Sequence, residues 1–500
     1  MIVEKQALAT VRCLWAASML LAGTASAQTA SPQPSPAPQP STTSPATAAP
    51  ALQGSSASSA GQRQNVFQGS VPSGNPTGTV LRISIKEAID RALKYNLGVI
   101  ESDQDTRAAH AARLRSLNAL LPNLSARISS TIEQINLKAF GFNVSIPGFP
   151  VIVGPFEIAD ARAYLSQEIF NWSEIKNWKS ATESERASKF TYKNDRDLVV
   201  LTAGNSYLLV ISDGATVDSI RAQVGTSKAL HQRALDQKKA GVIASIDELR
   251  ARVELQTQQQ RLISAQNQLA IDKLTLGRVI GLPSGQEFQL TDSIPYSPLT
   301  GITLDEALQR AYVSRADYFG AKAQVRAAEL ARQAAAAENY PTVSVNTDFG
   351  DIGSPNFGSS HETFTFAATL NIPVFQGTRV RADKLQADSV LRQRRAELED
   401  LRGKIDDQVR TAFLNLKSSS DLVAVTKSNI GLASQTLTQA QDRFSAGVTD
   451  NIEVVQAQES VAAANQSYIS SVYSYNVAKI SLAQAIGIAE QSAMQYLGGR

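Results

Sequence analysis

The chain has 500 residues, a length that corresponds to three or four ordinary domains. Its 48 Lys and Arg residues nearly balance its 45 Asp and Glu residues, so the composition excludes the strongly basic surface of a nucleic-acid-binding protein. The only cysteine is Cys13. Because Cys13 lies in a segment that we expect to be removed, the mature chain is predicted to contain no disulfide, thiolate metal site or lipid-anchored cysteine.

The N-terminus has the parts of a secretory signal peptide, which we predict over residues 1–27. A basic start and the apolar run Leu14–Ala22 are followed by the small-residue cleavage site Ala25-Ser26-Ala27. Residues 28–80 are rich in Pro, Ser and Ala, so we predict a disordered leader, with a periplasmic tether or stalk as the alternative. No later segment approaches the ~20 consecutive apolar residues of a transmembrane helix.

The rest of the sequence contains an internal duplication. The segment ISIKEAIDRAL, which begins at Ile83, recurs as ITLDEALQRAY at Ile302, 219 residues later. Farther along, the separation is 206 residues, as between Gly241 and Gly447, so the first copy carries 13 additional residues between Pro122 and Gly241. Two registers held over this length exclude a chance match. The predicted segments are a first repeat, an inter-repeat linker, a second repeat and a C-terminal tail, at 81–282, 283–301, 302–488 and 489–500.

Each copy is predicted to begin with an amphipathic helix. Ser84 and Thr303 are suitable N-caps, and a glutamate follows each of them three residues later, which is the pattern of a capping box. Pro122 and Pro341 are expected to end these helices.

The second half of each copy is a very long helical region. Apolar residues recur there at the seven-residue spacing of coiled coils, at Leu255, Leu262, Leu269 and Leu276 in the first copy and at Leu391, Leu398, Leu401, Ile405 and Ala412 in the second. The alternative is an ordinary helical bundle, whose helices rarely exceed about 25 residues without caps. One Gly-Val pair interrupts each region, and a glycine between helical segments is typical of a tight reversal. We therefore predict two long helical hairpins.

The segments before the long helices alternate between apolar and polar residues. In ETFTFAATLNI, Phe364, Phe366 and Leu370 share one face and the threonines share the other; NLSARISSTIEQ alternates likewise, and a weaker pattern surrounds Ala161. Each segment has about the 9–11 residues of a transmembrane β-strand, although a half-buried strand of a soluble sheet would show the same alternation. Because four strands close no barrel and an open sheet edge cannot lie in lipid, we expect several chains to contribute to one barrel.

The sequence lacks the motifs of an enzyme. His110, His231 and His361 are scattered without metal-ligand spacing, and no HExxH, GxSxG or phosphate-binding glycine motif occurs. We expect no catalytic residue, cofactor or metal. Two non-enzymatic alternatives are a periplasmic adaptor, which would have only one hairpin, and a secreted coiled-coil structural protein, which would not need the alternating strands.

The order and double occurrence of these features resemble the TolC-type outer membrane efflux proteins, also called outer membrane factors. The resemblance spans residues 81–488 and rests on the paired openings SIKEAIDRAL and TLDEALQRAY, the junctions LLPNLS, NYPTVS, IFNWSEIKNW and PVFQGTRVRA, and the AGV turns. It implies an α+β membrane protein in which a homotrimer forms a 12-stranded β-barrel continuous with a periplasmic α-helical coiled-coil duct. The implied function is a passive exit duct in the cell outer membrane, which receives substrates from an inner-membrane transporter and a periplasmic adaptor in a tripartite efflux or type I secretion system. The apolar loop 137–156 is unusual for such an external surface, and its role stays open.

The same resemblance implies the functional positions. The hairpin tips would contact the adaptor, at Gly241, Val242, Gly447 and Val448. Relatives carry acidic residues just inside the second tip; the matching residue here is Glu453, whereas Gln456 occupies a second position where many relatives have another acid. With threefold symmetry, Glu453 is expected to form a single ring of carboxylates at the periplasmic entrance gate, which attracts cations. The alternative is that Glu453 only solvates a helix end.

Overall fold

The computed structural model describes residues 66–141, 150–293, 296–299, 301–354, 359–446, 448–449 and 451–496. The predicted signal peptide, most of the predicted leader and Gly447 lie outside the described residues. The first repeat contains β1 (Leu81–Ile83), α1 (Ile85–Tyr95), α2 (Leu97–Asn118), β2 (Asn123–Asn136), β3 (Ile152–Phe170), α3 (Trp172–Lys239) and α4 (Ser245–Val279). It is followed by β4 (Phe288–Leu290), α5 (Leu304–Ser314), α6 (Ala316–Ala337), β5 (Thr342–Ser354), β6 (Ser359–Asn371), α7 (Arg379–Ser445), α8 (Asn451–Ile486) and α9 (Ala489–Tyr496).

The predicted N-caps are present at the first helix of each copy. Ser84 Oγ accepts the backbone N–H of Glu87 at 3.3 Å. Thr303 and Glu306 form the complete capping box, in which each side chain accepts the other residue's backbone N–H. These bonds satisfy N–H groups that have no partner within the first turn of a helix.

Each copy begins with two helices, whereas the sequence predicted one. The backbone is extended at Asn96, between α1 and α2, and at the matching Arg315, between α5 and α6. The Asn96 side chain caps α2 by accepting the N–H of Gly98 at 2.9 Å. Arg315 is only 5% exposed and donates to the carbonyl of Ala485 at 3.1 Å. Gly487 packs against this break, where an added Cβ would lie 2.7 Å from Cα of Arg315. Local capping and tertiary contacts therefore interrupt the predicted helices.

Four strands form one antiparallel sheet in the order β2–β3–β5–β6. The pairing of β5 with β6 runs without interruption from Thr342 opposite Asn371 to Ser354 opposite Ser359. Within the described part of the chain, β2 and β6 each have a partner strand on one side only. One chain therefore makes an open sheet with two free edges.

The 13 additional residues of the first copy lie in the hairpin between β2 and β3. The helices α3 and α7 end 206 residues apart, so the separation of 206 residues between the two copies is already reached before these helices end. The connection between β2 and β3 runs from residue 137 to 151, whereas that between β5 and β6 covers only 355–358. The structure also corrects the predicted loop 137–156, because β3 begins at Ile152.

The long helices form two layers that share α3 and α7, which have 68 and 67 residues. At 1.5 Å per residue each of them extends about 100 Å. Near the sheet the packing order is α2–α3–α6–α7, and farther from it the order is α4–α3–α8–α7. Leu391 and Ile405, two members of the predicted coiled-coil stripe, are buried. Helices of this length exclude the alternative of an ordinary bundle.

The two main apolar clusters lie where the upper and lower layers meet. One joins α1, α3, α4 and the short parallel pair β1–β4, and the other joins α5, α7 and α8. Residues 66–80, which were predicted to belong to the disordered leader, pack against the first cluster. Val71 N–H donates to the carbonyl of Tyr95 at 2.9 Å, and Phe67 contacts the cluster. The predicted end of the disordered leader at residue 80 is therefore too late. The average composition of residues 28–80 is dominated by Pro, Ser and Ala, so it does not reveal the few apolar residues, such as Phe67 and Val71, near the end of the segment.

One described helix, α3, contains a stretch that is long and apolar enough to cross a membrane, with a mean hydropathy of 1.4. Of that stretch, 44% is buried inside the chain. Val199, Val200 and Tyr207 of α3 belong to the first apolar cluster.

Candidate functional site: barrel strands, hairpin tips and entrance

One face of the sheet is apolar and exposed in the single chain. Ile128 on β2 is 82% exposed and Phe366 on β6 is 63% exposed. Phe349 lies opposite Phe364 in the register of β5 and β6. An exposed apolar face of this extent normally marks contact with a membrane or with another protein.

The other face of the sheet is polar. Arg162 on β3 donates from Nε to Asp160 Oδ1 at 2.7 Å and from Nη1 to Asp348 Oδ1 at 3.2 Å. Arg127 lies directly opposite Arg162, and its guanidinium is 5.7 Å from the centre of the Tyr164 ring. The alternation predicted for these strands therefore separates an apolar face from a face that carries ion pairs.

The first hairpin turns at Gly241, as predicted. Val242 N–H donates to the carbonyl of Gln237 at 2.9 Å, and Gly241 N–H donates to that of Lys238 at 3.0 Å, which together form a Schellman motif at the end of α3. Gly241 has φ +72°, a conformation that favours glycine, and an added Cβ would meet nothing within 4 Å. Glycine is therefore required by the backbone conformation and not by lack of space.

The second hairpin ends α7 with the equivalent bond. Val448 N–H donates to the carbonyl of Arg443 at 3.0 Å. Val448 is 68% exposed, and Val242 at the first tip is 69% exposed. Each tip thus presents an apolar side chain to solvent. Gly447, the fourth predicted tip residue, lies outside the described residues.

The predicted gate residue Glu453 lies in the first turn of α8, beside the second tip. Its Oε1 is 2.6 Å from Arg443 Nη1, and its Oε2 accepts a hydrogen bond from the Thr449 hydroxyl. Gln456 is exposed one turn farther along α8. In this conformation the Glu453 charge is therefore balanced within its own hairpin, which the sequence did not predict.

A second ion pair closes the first hairpin. Glu248 is 7% exposed; it lies 2.9 Å from Lys238 Nζ and 3.3 Å from His231 Nε2. The hydrogen bond from Lys238, followed by that from His231, lowers the pKa of Glu248. In both hairpins a basic residue precedes its acidic partner by ten positions across the turn. That shared spacing is the signal by which sequence reasoning could have found these pairs.

Comparison with known proteins shows which of them this chain resembles. The family model described as "Outer membrane efflux protein" matches residues 307–488. The Escherichia coli (strain K12) outer membrane protein TolC is 22% identical over 427 residues, which are 81% of this chain and 82% of that protein. The pyoverdine export outer membrane protein OpmQ of Pseudomonas aeruginosa is 25% identical over 432 residues, or 82% of this chain and 86% of the relative.

The Campylobacter jejuni CmeC outer membrane channel has a similar structure, with a TM-score of 0.70 at 14% identity, over 81% of this chain and 86% of that one. The family-model match and these relatives support an outer membrane factor. The predicted fold, in which strands are continuous with long helices, is confirmed, as is the location in the outer membrane. The matched residues coincide with the second predicted repeat, so the model recognises one of the two copies.

The family consists of channel and transport proteins. Among the residues that the structure describes, no group of three or more His, Cys, Asp and Glu side chains could hold a metal ion.

Proposed function

We propose that three copies of this chain assemble into a passive exit duct of a tripartite efflux or type I secretion system. The observation that carries the proposal is the pair of free edges on the sheet. Four strands per chain are too few to close a barrel, whereas twelve strands from three chains, with β6 of each beside β2 of the next, leave no edge. The apolar face then contacts outer membrane lipid, and the polar face lines the channel.

The helices support the same assembly. The outer members of the lower layer are α4 and α7, and both carry exposed apolar residues at intervals that return to one helix face. On α4, Val253, Ile263 and Leu274 are 61%, 68% and 73% exposed; on α7, Leu414, Val425 and Leu432 are 65%, 57% and 60% exposed. Packing α4 of one chain on α7 of the next buries both stripes and closes a ring of twelve helices.

A passive duct requires partners that supply substrate and energy. The relatives named above are an outer membrane protein and an export protein, which supports an inner-membrane transporter linked by a periplasmic adaptor. The exposed Val242 and Val448 lie on turns whose backbone is accessible, as a docking surface requires. We therefore assign adaptor contact to the tips, at Gly241, Val242, Gly447 and Val448.

The entrance gate is assigned to Glu453, with Gln456 beside it. In the trimer, three Glu453–Arg443 pairs surround the axis near the tips. The gate is then a ring of paired charges, and breaking the pair exposes a ring of three carboxylates that attracts cations. Gln456 adds no charge to this ring.

The assembly can be tested by cross-linking the free edges. In a Cys13→Ser background the chain has no cysteine. Ser129→Cys on β2 and Thr365→Cys on β6 place thiols on the polar face of the two edge strands, which β3 and β5 separate within one chain. A bismaleimide of about 10 Å reach should then give covalent dimers and trimers from outer membranes.

The two single-cysteine variants serve as controls and should stay monomeric on the gel. A protein found outside the outer membrane fraction, with no cross-linked species, would favour the coiled-coil structural protein and refute the duct.

A further inference from the structure

A cavity whose walls carry several polar groups among apolar surface lies between the two hairpins, near the tips. It has a volume of about 320 Å³ and is lined by α3 and α4 of the first repeat and by α7 and α8 of the second. Neither repeat could form it alone. Its walls carry hydroxyl, carboxamide and carboxylate groups, where a coiled-coil interior would ordinarily hold apolar side chains.

Four of the polar side chains on this cavity are more than nine-tenths buried, among them Ser227 on α3, which is 3% exposed. Gln258 on α4 is 2% exposed, and Glu254 on α4 and Gln458 on α8 are each 8% exposed. Gln258 Nε2 donates to Glu254 Oε1 at 2.7 Å. Because a carboxylate only accepts, this bond fixes the orientation of the Gln258 amide.

Two of the buried amide groups on this cavity have unpaired atoms. Within the described chain, Gln258 Oε1 and both amide atoms of Gln458 have no hydrogen-bond partner. None of the described residues that line the cavity is Lys, Arg or His. The cavity thus combines one buried carboxylate with unpaired acceptor oxygens, and such buried groups are normally satisfied.

A positively charged group rich in hydrogen-bond donors would satisfy the carboxylate and the two unpaired amide oxygens. A divalent metal would favour several carboxylates, and Glu254 is the only one among the described lining residues. An ammonium offers three donors and a guanidinium five, in addition to the charge. We propose that the cavity is a binding site for an ammonium or guanidinium group, held by the Glu254 carboxylate and by the amide oxygens of Gln258 and Gln458.

Such a ligand would join the two hairpins of one chain, because Glu254 and Gln258 belong to the first hairpin and Gln458 to the second. The cationic group has two sources: a free small amine, or a Lys or Arg side chain of the docked adaptor. The site itself is independent of the proposed export function; only the adaptor source depends on it.

The test uses the full-length protein in mild detergent, with agmatine as the probe because it carries both groups. Calorimetric titration should show about one site per chain. Glu254→Gln, which keeps the bond to Gln258 and removes the charge, should weaken binding at least tenfold. Gln458→Met, of similar size without polar side-chain atoms, should weaken it severalfold. The matched control Glu459→Gln removes an exposed acid next to Gln458 and should change binding less than twofold.

A second measurement distinguishes the sources. If agmatine does not bind but Glu254→Gln weakens binding of the purified adaptor at least tenfold and Glu459→Gln does not, the ligand is a partner's side chain. Equal binding of agmatine to all variants, or an effect in neither measurement, would overturn the proposal and leave a water-filled cavity. Channel conductance in planar bilayers should be the same in wild type and Glu254→Gln, so failure of this site is distinguishable from failure of the duct.

Discussion

At the residue scale, the entrance depends on the pairing of Glu453 with Arg443. Both side chains are part exposed, at 36% and 55%, so their ion pair contributes little to stability, about 0–1 kcal/mol. The pair matters more for the electric potential at a threefold entrance than for stability. The charge of each chain is repeated three times around a narrow opening, so a substitution in the pair changes three charges at once.

Glu453→Ala should therefore reduce cation selectivity and block by multivalent cations in planar-bilayer recordings, without changing trimer yield. Arg443→Ala should do the opposite, because it leaves the Glu453 carboxylates unpaired. Glu459→Gln is the control for a charge change elsewhere on α8. Unchanged selectivity and block in both the Glu453 and Arg443 variants would remove this pair from the gate.

The tip glycines are tested by bulky replacements. Tryptophan at Gly241 must adopt the strained φ of +72° and adds a large side chain at the proposed adaptor contact. The double variant Gly241→Trp and Gly447→Trp should keep its trimers but lose export and adaptor cross-linking. Gly225→Trp, at an exposed position within α3, should retain both activities. Export by the double variant at the wild-type rate would make the turns merely structural.

At the element scale, the alternation of β6 assigns neighbouring residues to different surroundings. Phe366 belongs to the apolar face and lies opposite Thr347 on β5. Thr365 belongs to the polar face and lies opposite Asp348. Phe366→Arg places a charge in lipid and should impair assembly by ~2–4 kcal/mol near the bilayer centre. Thr365→Arg should assemble nearly as well as wild type. The yield of folded trimer in outer membranes measures both, and equal tolerance of the two would contradict the face assignment.

The first hairpin contains a carboxyl pair that should make its stability depend on pH. Burial, followed by the hydrogen bond to Asp272 on α4 and that group's charge, raises the pKa of Asp213 on α3 to about 7 from 3.8. The folded chain thus binds more protons than the unfolded chain between about pH 4 and 7. The free energy of unfolding is therefore higher at low pH and decreases as the pH rises from about 4 through about 7. The two carboxyls titrate as a pair.

Asp213→Asn should remove this dependence. Because the site is partly solvated, we expect an effect on the order of 1 kcal/mol, seen as a fall of a few degrees in the thermal midpoint of the wild type between pH 5 and 8. Asp218→Asn, an exposed acid on the same helix, should keep the wild-type profile. A pH profile in Asp213→Asn that matches wild type would contradict the raised pKa of Asp213 as the cause.

Sequence reasoning identified most elements of this chain because their patterns are local. Alternation revealed β2 and β6, and heptads revealed α4 and α7. The break at Arg315 was missed because arginine favours helix, whereas its extended backbone is stabilised by side-chain contacts with Ala485, Asp317 and Gln408. The Arg443–Glu453 pair was missed because it forms across a turn. The cavity between the hairpins was not predicted because it forms where the two repeats pack together. The local sequence pattern of each repeat contains no information about that packing.

At the scale of the whole molecule, the central claim is that the channel is built from three chains. It rests on free strand edges at β2 and β6 and on exposed apolar stripes along α4 and α7. Both sets of surfaces are buried by the same threefold arrangement. Native mass spectrometry of the protein purified from outer membranes in mild detergent tests this most directly. We expect a single dominant species of three chains, and a stable monomer would contradict the threefold assembly.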